Sequence, residues 1–311
     1  MTNTPQNARL GILLMVAATL VFAIQDGISR HLGGAYSVMT VVMLRYWFFA
    51  AFATGMAATR RGGIRKVARS RALGLQIFRS VLLVAEIAVT VLSFVLLGLI
   101  ETHAIFAVYP LLVAALAGPI LGEYVGWRRA AAIGVGLIGV LVILRPGIRV
   151  FSPEALVPLL GAFMFALYAL LTRRAAQHDG AETSFFWTGV AGAAAATLVG
   201  PFFWTPIQGA FDIALMALLC VTGVIGHFLM IRAYSVAEAG TVQPFAYFQL
   251  VFVTILGTTF FGERPDGWTV AGGLLILAAG LYTILRQAAL DRAMRRDAVR
   301  GMSNRMESSG D

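Results

Sequence analysis

The sequence predicts an all-α membrane protein of ten transmembrane helices, arranged as two inverted five-helix repeats. The first observation is composition. The 311 residues are 59% hydrophobic and 13% charged, with mean hydropathy +0.82. A soluble domain carries about 25% charged residues, so this chain cannot cover a water-facing surface and its natural solvent is lipid. The second is the pattern of apolar runs. A spanning helix needs about 20 mostly apolar residues. Such runs fall at about 10–30, 37–58, 72–97, 102–121, 127–145, 155–175, 183–204, 211–233, 239–261 and 267–286. The third is internal repetition, which fixes architecture when present. Trp127, Gly139 and Arg145 return as Trp268, Gly280 and Arg286, all displaced by 141 positions, and each set follows a Gly-Glu pair (Gly122-Glu123, Gly262-Glu263).

The first run, Leu10 to Ile24, has only Arg9 ahead of it and no small-residue cleavage site behind it. It is read as an uncleaved first span rather than a secretory signal. The longest internal polar link is Thr59–Arg71. Orientation follows from the bias of Lys and Arg toward cytoplasmic loops. With the N-terminus inside, 18 of the 24 Lys and Arg fall on the inner side, including Arg60, Arg61, Arg65, Lys66, Arg69 and Arg71. Arg30, Arg145, Arg149 and Arg264 fall outside, and Arg45 and Arg79 lie within spans. Both termini are therefore expected in the cytoplasm.

Five spans per copy is an odd number, so the second copy enters the membrane from the opposite face. The expected units are a first repeat at 10–147, a second at 152–286 and a cytoplasmic tail at 287–311. The stretch Phe22–Arg30 is echoed by Phe165–Arg173. Inverted repeats are common in secondary transporters, with the substrate site near the midplane between the halves.

Composition and motifs also exclude. The net charge of +9 is spread between apolar runs, which argues against nucleic acid. One cysteine, Cys220, precludes an internal disulfide, and the four histidines show no ligand spacing, so neither metal nor cofactor is expected. No Gly-rich loop ends in Gly-Lys-Ser/Thr, so an ATP-driven pump is not indicated. No catalytic constellation is legible, so no enzyme is expected.

Two five-helix units, each closing with Gly-Glu, a short link, Trp and a Gly-bearing helix, resemble the EamA group of the drug/metabolite transporter superfamily. The first copy, Pro110, Gly122-Glu123, Trp127 and Arg145-Pro146-Gly147, is the more typical. The resemblance covers nearly the whole chain except the tail. It implies a central cavity formed largely by helices 1, 3, 4, 6, 8 and 9, and alternating access in a bacterial inner membrane. Gln25-Asp26-Gly27-Ile28-Ser29-Arg30-His31 and Leu44-Arg45-Tyr46-Trp47 resemble the riboflavin-importer branch in particular. The function so implied is uptake of riboflavin or a related planar vitamin. The alternative is an exporter of amino acids or similar metabolites.

Charged residues inside spans are costly and functional by default. Asp26, Arg45, Arg79 and Glu86 qualify. Asp26 and Arg45 stand at similar depth and are candidates to pair. Arg79 and Glu86 share one face of the third span and suit a polar stripe along a cavity. Glu86 is expected to couple transport to proton movement or to bind a polar group of the substrate. His227 either lines the cavity or bridges helices. His103 fits either a structural or a site role, the structural one being the commoner for an interfacial histidine. Tyr109, Tyr168, Gln243, Tyr247 and Gln249 supply polar handles among aromatics, which suits a planar organic molecule. The rival reading of these residues is helix packing. Glycines 134, 136, 139, 189 and 192 read as small-residue faces for close helix contact.

Overall fold

The computed structural model describes residues 8–121, 127–144, 153–175, 178–236, 245, 247–282, 285, 286 and 289. Among these residues all regular structure is helical. The α-helices are α1 (Ala8–Ala35), α2 (Val38–Ala58), α3 (Gly63–Val67), α4 (Leu73–Leu97), α5 (Leu99–Phe106), α6 (Tyr109–Leu121) and α7 (Trp127–Leu144). They continue as α8 (Leu156–Ala175), α9 (Ala181–Val199), α10 (Ala210–Val236), α11 (Phe248–Phe260) and α12 (Gly267–Tyr282).

Among the described residues five helices are long and apolar enough to cross a membrane, over Arg9–Ala35, Val38–Ala58, Leu73–Leu97, Ala181–Phe203 and Ala210–Met230. Shorter apolar helices cover Leu99–Val113, Ala130–Ile143, Leu156–Thr172, Phe248–Phe260 and Gly267–Tyr282. Two departures from the expected spans have clear causes. α1 runs past Arg30 to Ala35, because Arg30 and His31 are paired with Glu263 and Asp212 and do not force the chain out of the helix. The segment expected as one helix at 102–121 is broken between Phe106 and Tyr109. Pro110 lacks an N–H, and its ring would press on the carbonyl four residues back, that of Phe106.

The helices bury one stripe and leave the other apolar. On α2, Val42, Tyr46, Phe49 and Ala53 are buried at helical spacing, while Trp47, Phe48 and Phe52 are exposed. Phe202 and Phe260 are 84% and 78% exposed, as suits a surface bathed in lipid. α1 packs along α10, and α4 packs along α8. α1 also meets α11, and α6 meets α8. α2 lies against α9, α4 touches α9, and α2 touches α10.

Close approach is made by glycines, as the sequence suggested for most of them. A Cβ on Gly139 of α7 would stand 2.8 Å from the carbonyl oxygen of Gly272 on α12, so these backbones touch. A Cβ on Gly192 would meet the Tyr46 ring at 2.3 Å. Gly134 faces open space and carries no such contact. Gly280, the repeat equivalent of Gly139, instead makes room for the Tyr247 hydroxyl.

At one end of the bundle, Glu263 joins three elements. Its Oε1 accepts from the backbone N–H of Leu99 at 2.7 Å and its Oε2 from that of Ile100 at 2.8 Å. These are orphan donors at the start of α5, where a carboxylate also complements the helix dipole. Arg30 of α1 donates to the same carboxylate and lies 4.2 Å over the Phe261 ring. Gly98, at φ 84°, leaves the space the carboxylate fills. This is why α5 starts at Leu99 rather than at residue 102.

Candidate functional site

A cavity lies where α1, α4, α5, α6, α8, α10 and the stretch from Tyr247 into α11 converge. These correspond to the six spans the resemblance names, joined by Arg45 of α2. The cavity volume is about 170 Å³. One wall is an aromatic cluster. Phe165 of α8 meets Tyr109 edge-on at 5.0 Å, Phe106 at 5.5 Å and Tyr168 at 6.1 Å. On another wall Phe22 of α1 meets His227 of α10 edge-on at 5.4 Å.

Polar groups are few and placed. Asp26 does not pair with Arg45. Its Oδ2 stands 3.1 Å from Nε2 of His103 and accepts from Nε2 of Gln249 at 2.8 Å. His103 stacks on Phe94 at 5.2 Å, and its Nδ1 donates to the Leu99 carbonyl at 3.0 Å. With Nδ1 so used, the contact between Nε2 and the carboxylate needs a proton on one of the two groups. The trio ties α1, α5 and α11 together at the cavity wall. The Asp26–Arg45 pairing fails because His103 of the broken fourth segment reaches the carboxylate first.

Arg45 lines the cavity, is 7% exposed, and makes no hydrogen bond or ion pair among the described residues. Beside it, Oε1 of Gln25 is also buried without a partner. Glu86 lines the cavity at 4% exposure, and Thr90 donates to its Oε1 at 2.8 Å.

Arg79 is placed differently from the expected polar stripe. It is 1% exposed and absent from the cavity lining. It donates to Gln76 at 2.7 Å, Thr188 at 3.0 Å and Thr172 at 3.3 Å, and to the Ser184 carbonyl. α8 and α9 close over that end of α4 and supply these oxygens, so Arg79 locks three helices. The network runs on through Gln76 to Asp179, in the link between α8 and α9, at 2.9 Å. Burial works against the charge of Asp179, but hydrogen bonds from Gln76, Ser70 and the backbone of Arg71 and Ala72 outweigh it. They hold its carboxyl below the usual value.

Of the other expected residues, Tyr109, Tyr168, His227, Tyr247 and Gln249 all line the cavity with Asp26, Arg45 and Glu86. His227 faces the space and donates to the Gly223 carbonyl of its own helix at 2.9 Å, so it lines the cavity without a hydrogen bond to another helix. Gln243 lies outside the described residues. Sequence reasoning passed over Gln25, Phe22, Phe106 and Phe165, and left His103 between a structural and a site role. Phe22 and Phe165 carried a usable signal, because they occupy equivalent places in the echoed stretch. Among the described residues no three His, Cys, Asp or Glu side chains gather to hold a metal.

Residues 153–285 match the EamA-like transporter family. The chain is 26% identical over 274 residues to an S-adenosylmethionine uptake transporter of Rickettsia prowazekii, covering 88% of this chain and 92% of that one. It is 28% identical over 297 residues to a riboflavin transporter of Rhizobium johnstonii, covering 93% and 95%. A pseudopaline exporter of Pseudomonas aeruginosa is 24% identical over 277 residues, covering 86% and 94%. A solved crystal structure shares the fold at TM-score 0.62 and 17% identity, covering 89% of this chain and 98% of that one. The resemblance read from the sequence is thus met independently over residues 153–285, and the relatives that cover most of the chain are named as transporters and not as enzymes.

Proposed function

We propose that the chain is a secondary transporter of the bacterial inner membrane that takes up a small planar heteroaromatic metabolite by alternating access. It is built as two inverted halves, 10–147 and 152–286, with both termini and the tail 287–311 in the cytoplasm. Helix pairing supports the inversion. Exchanging each span for its repeat equivalent turns the α1–α10 contact into α8–α4, α1–α11 into α8–α6, and α4–α9 into α10–α2, and each of these contacts exists.

The observation that carries the cargo reading is the chamber itself, walled by aromatic rings from both halves with a handful of buried polar groups. Stacking on such rings adds about 0.5–1.5 kcal/mol per pair beyond buried area. Riboflavin and S-adenosylmethionine, the compounds in the relatives' names, both carry a flat ring system. Export is the second reading, favoured by the pseudopaline relative. The test is growth of a riboflavin-auxotrophic strain without an uptake route on micromolar vitamin, alongside uptake of radiolabelled S-adenosylmethionine by the same cells. Rescue or uptake by either arm is the expected result. Failure of both, with membrane insertion verified, overturns uptake and moves the assignment to export.

A further inference from the structure

We infer that the chamber binds a cargo bearing a zwitterionic amino-acid end, with Arg45 receiving its carboxylate and Glu86 its ammonium group. The inference rests on the planar-ring reading and narrows it. Among the described residues most charges within the helices already have partners. Asp26 has His103 and Gln249, Arg30 has Glu263, and Arg79 has five oxygen-bearing neighbours. Arg45 and Glu86 differ. Both are more than nine-tenths buried, both line the same cavity, and neither is in an ion pair with any described side chain.

Leaving a buried charge unpaired costs several kcal/mol unless something else satisfies it. Arg45 presents five N–H donors in a planar fork that fits a carboxylate bidentately. Glu86 gives one oxygen to Thr90 and keeps the other for the cavity. Gln25 Oε1, orphaned beside Arg45, is an additional acceptor. A cation and a carboxyl group without ion-pair partners, facing an apolar, aromatic space, are complementary to a zwitterionic end. A phosphate would bring two negative charges to a cavity that already holds Glu86 and Asp26. A neutral flavin would leave both charges unanswered.

The test is equilibrium binding to the full-length protein in nanodiscs with four probes. S-adenosylmethionine has ring and zwitterion, with a sulfonium charge that its ester retains. Its carboxyl methyl ester lacks the negative charge. Methylthioadenosine has the ring alone, and methionine the zwitterion alone. Wild type is expected to bind S-adenosylmethionine about ten- to hundred-fold more tightly than the ester, the contribution of one charge-assisted contact. Arg45→Met should lose the same factor for S-adenosylmethionine and none for methylthioadenosine, with Arg45→Lys intermediate. The ester comparison stands on wild type alone, so it decides even if Arg45→Met misfolds. Equal binding of acid and ester, or equal losses for both nucleosides in a folded Arg45→Met, overturns the inference and leaves the planar-ring reading standing. Methionine binding as tightly as S-adenosylmethionine overturns the planar-ring reading and leaves the zwitterion assignment standing. No binding by any probe overturns both.

Discussion

Glu263 is the place where one substitution should cost the most per atom removed. Its carboxylate takes two backbone N–H groups at the start of α5, at 2.7 and 2.8 Å, and the Arg30 guanidinium. Its side chain is 14% exposed and that of Arg30 21%. A hydrogen bond to a charged group contributes about 1.5–3 kcal/mol. Removing one partner of a largely buried ion pair costs about 3–5 kcal/mol, because the remaining charge is stranded. Water entering beside Gly98 offsets part of the two lost caps. Glu263→Ala should therefore lower stability by about 3–5 kcal/mol. Glu263→Gln keeps one carbonyl oxygen for one N–H and should lose about half of that. The assay is unfolding of the purified protein in one detergent, followed by tryptophan fluorescence, with both variants beside wild type. A loss below about 0.5 kcal/mol for Glu263→Ala, the size expected of an exposed ion pair, would refute the reasoning.

Three further outcomes follow. Gly139→Ala places a methyl 2.8 Å from the Gly272 carbonyl and should cost about 1–3 kcal/mol as α7 and α12 are forced apart, whereas Gly134→Ala, in open space, should be neutral in the same unfolding assay. Arg79→Met should destabilise the α4, α8 and α9 junction in the same unfolding assay, because it removes the donors to Thr172, Ser184 and Thr188. Asp179 has a folded-state pKa below its unfolded value of 3.8, so its stabilising contribution is full above that pH and is lost as pH falls through the folded value. Asp179→Asn should remove that contribution at pH 7, cost little at pH values below the folded pKa, and so flatten the dependence of stability on pH below about 3.8.

The apolar runs and their placement were legible because lipid leaves little choice: backbone polar groups must be satisfied within helices. The break in the fourth segment was also within reach, since Pro110 sits mid-run, but length counting favoured one helix. The site was half legible. Asp26, Arg45 and Glu86 announced themselves as charges among apolar neighbours, which is a local property of the chain. Their partners did not, because pairing is decided by helix rotation and depth. So Asp26 found His103 from a segment offset by the Pro110 break, and Arg79 was closed over by α8 and α9. Gly262-Glu263 stood out in the sequence only as a landmark of the repeat. Its carboxylate reaches back to cap α5, a long-range contact that no spacing rule signals. Phe22 and Phe165 show that the repeat held information about the chamber as well as about topology.

The central claim is that the aromatic chamber between α1, α4, α8 and α10 is the transport site. Counterflow in proteoliposomes tests it most directly. Vesicles loaded with unlabelled S-adenosylmethionine or riboflavin are diluted into the matching tracer, for wild type and for Phe165→Ala, whose ring touches Phe106, Tyr109 and Tyr168. Transient accumulation of one tracer by wild type, cut about ten-fold or more by the loss of one or two stacking contacts, is the expected result. Accumulation that Phe165→Ala leaves unchanged, in a variant that folds as wild type does, would contradict it.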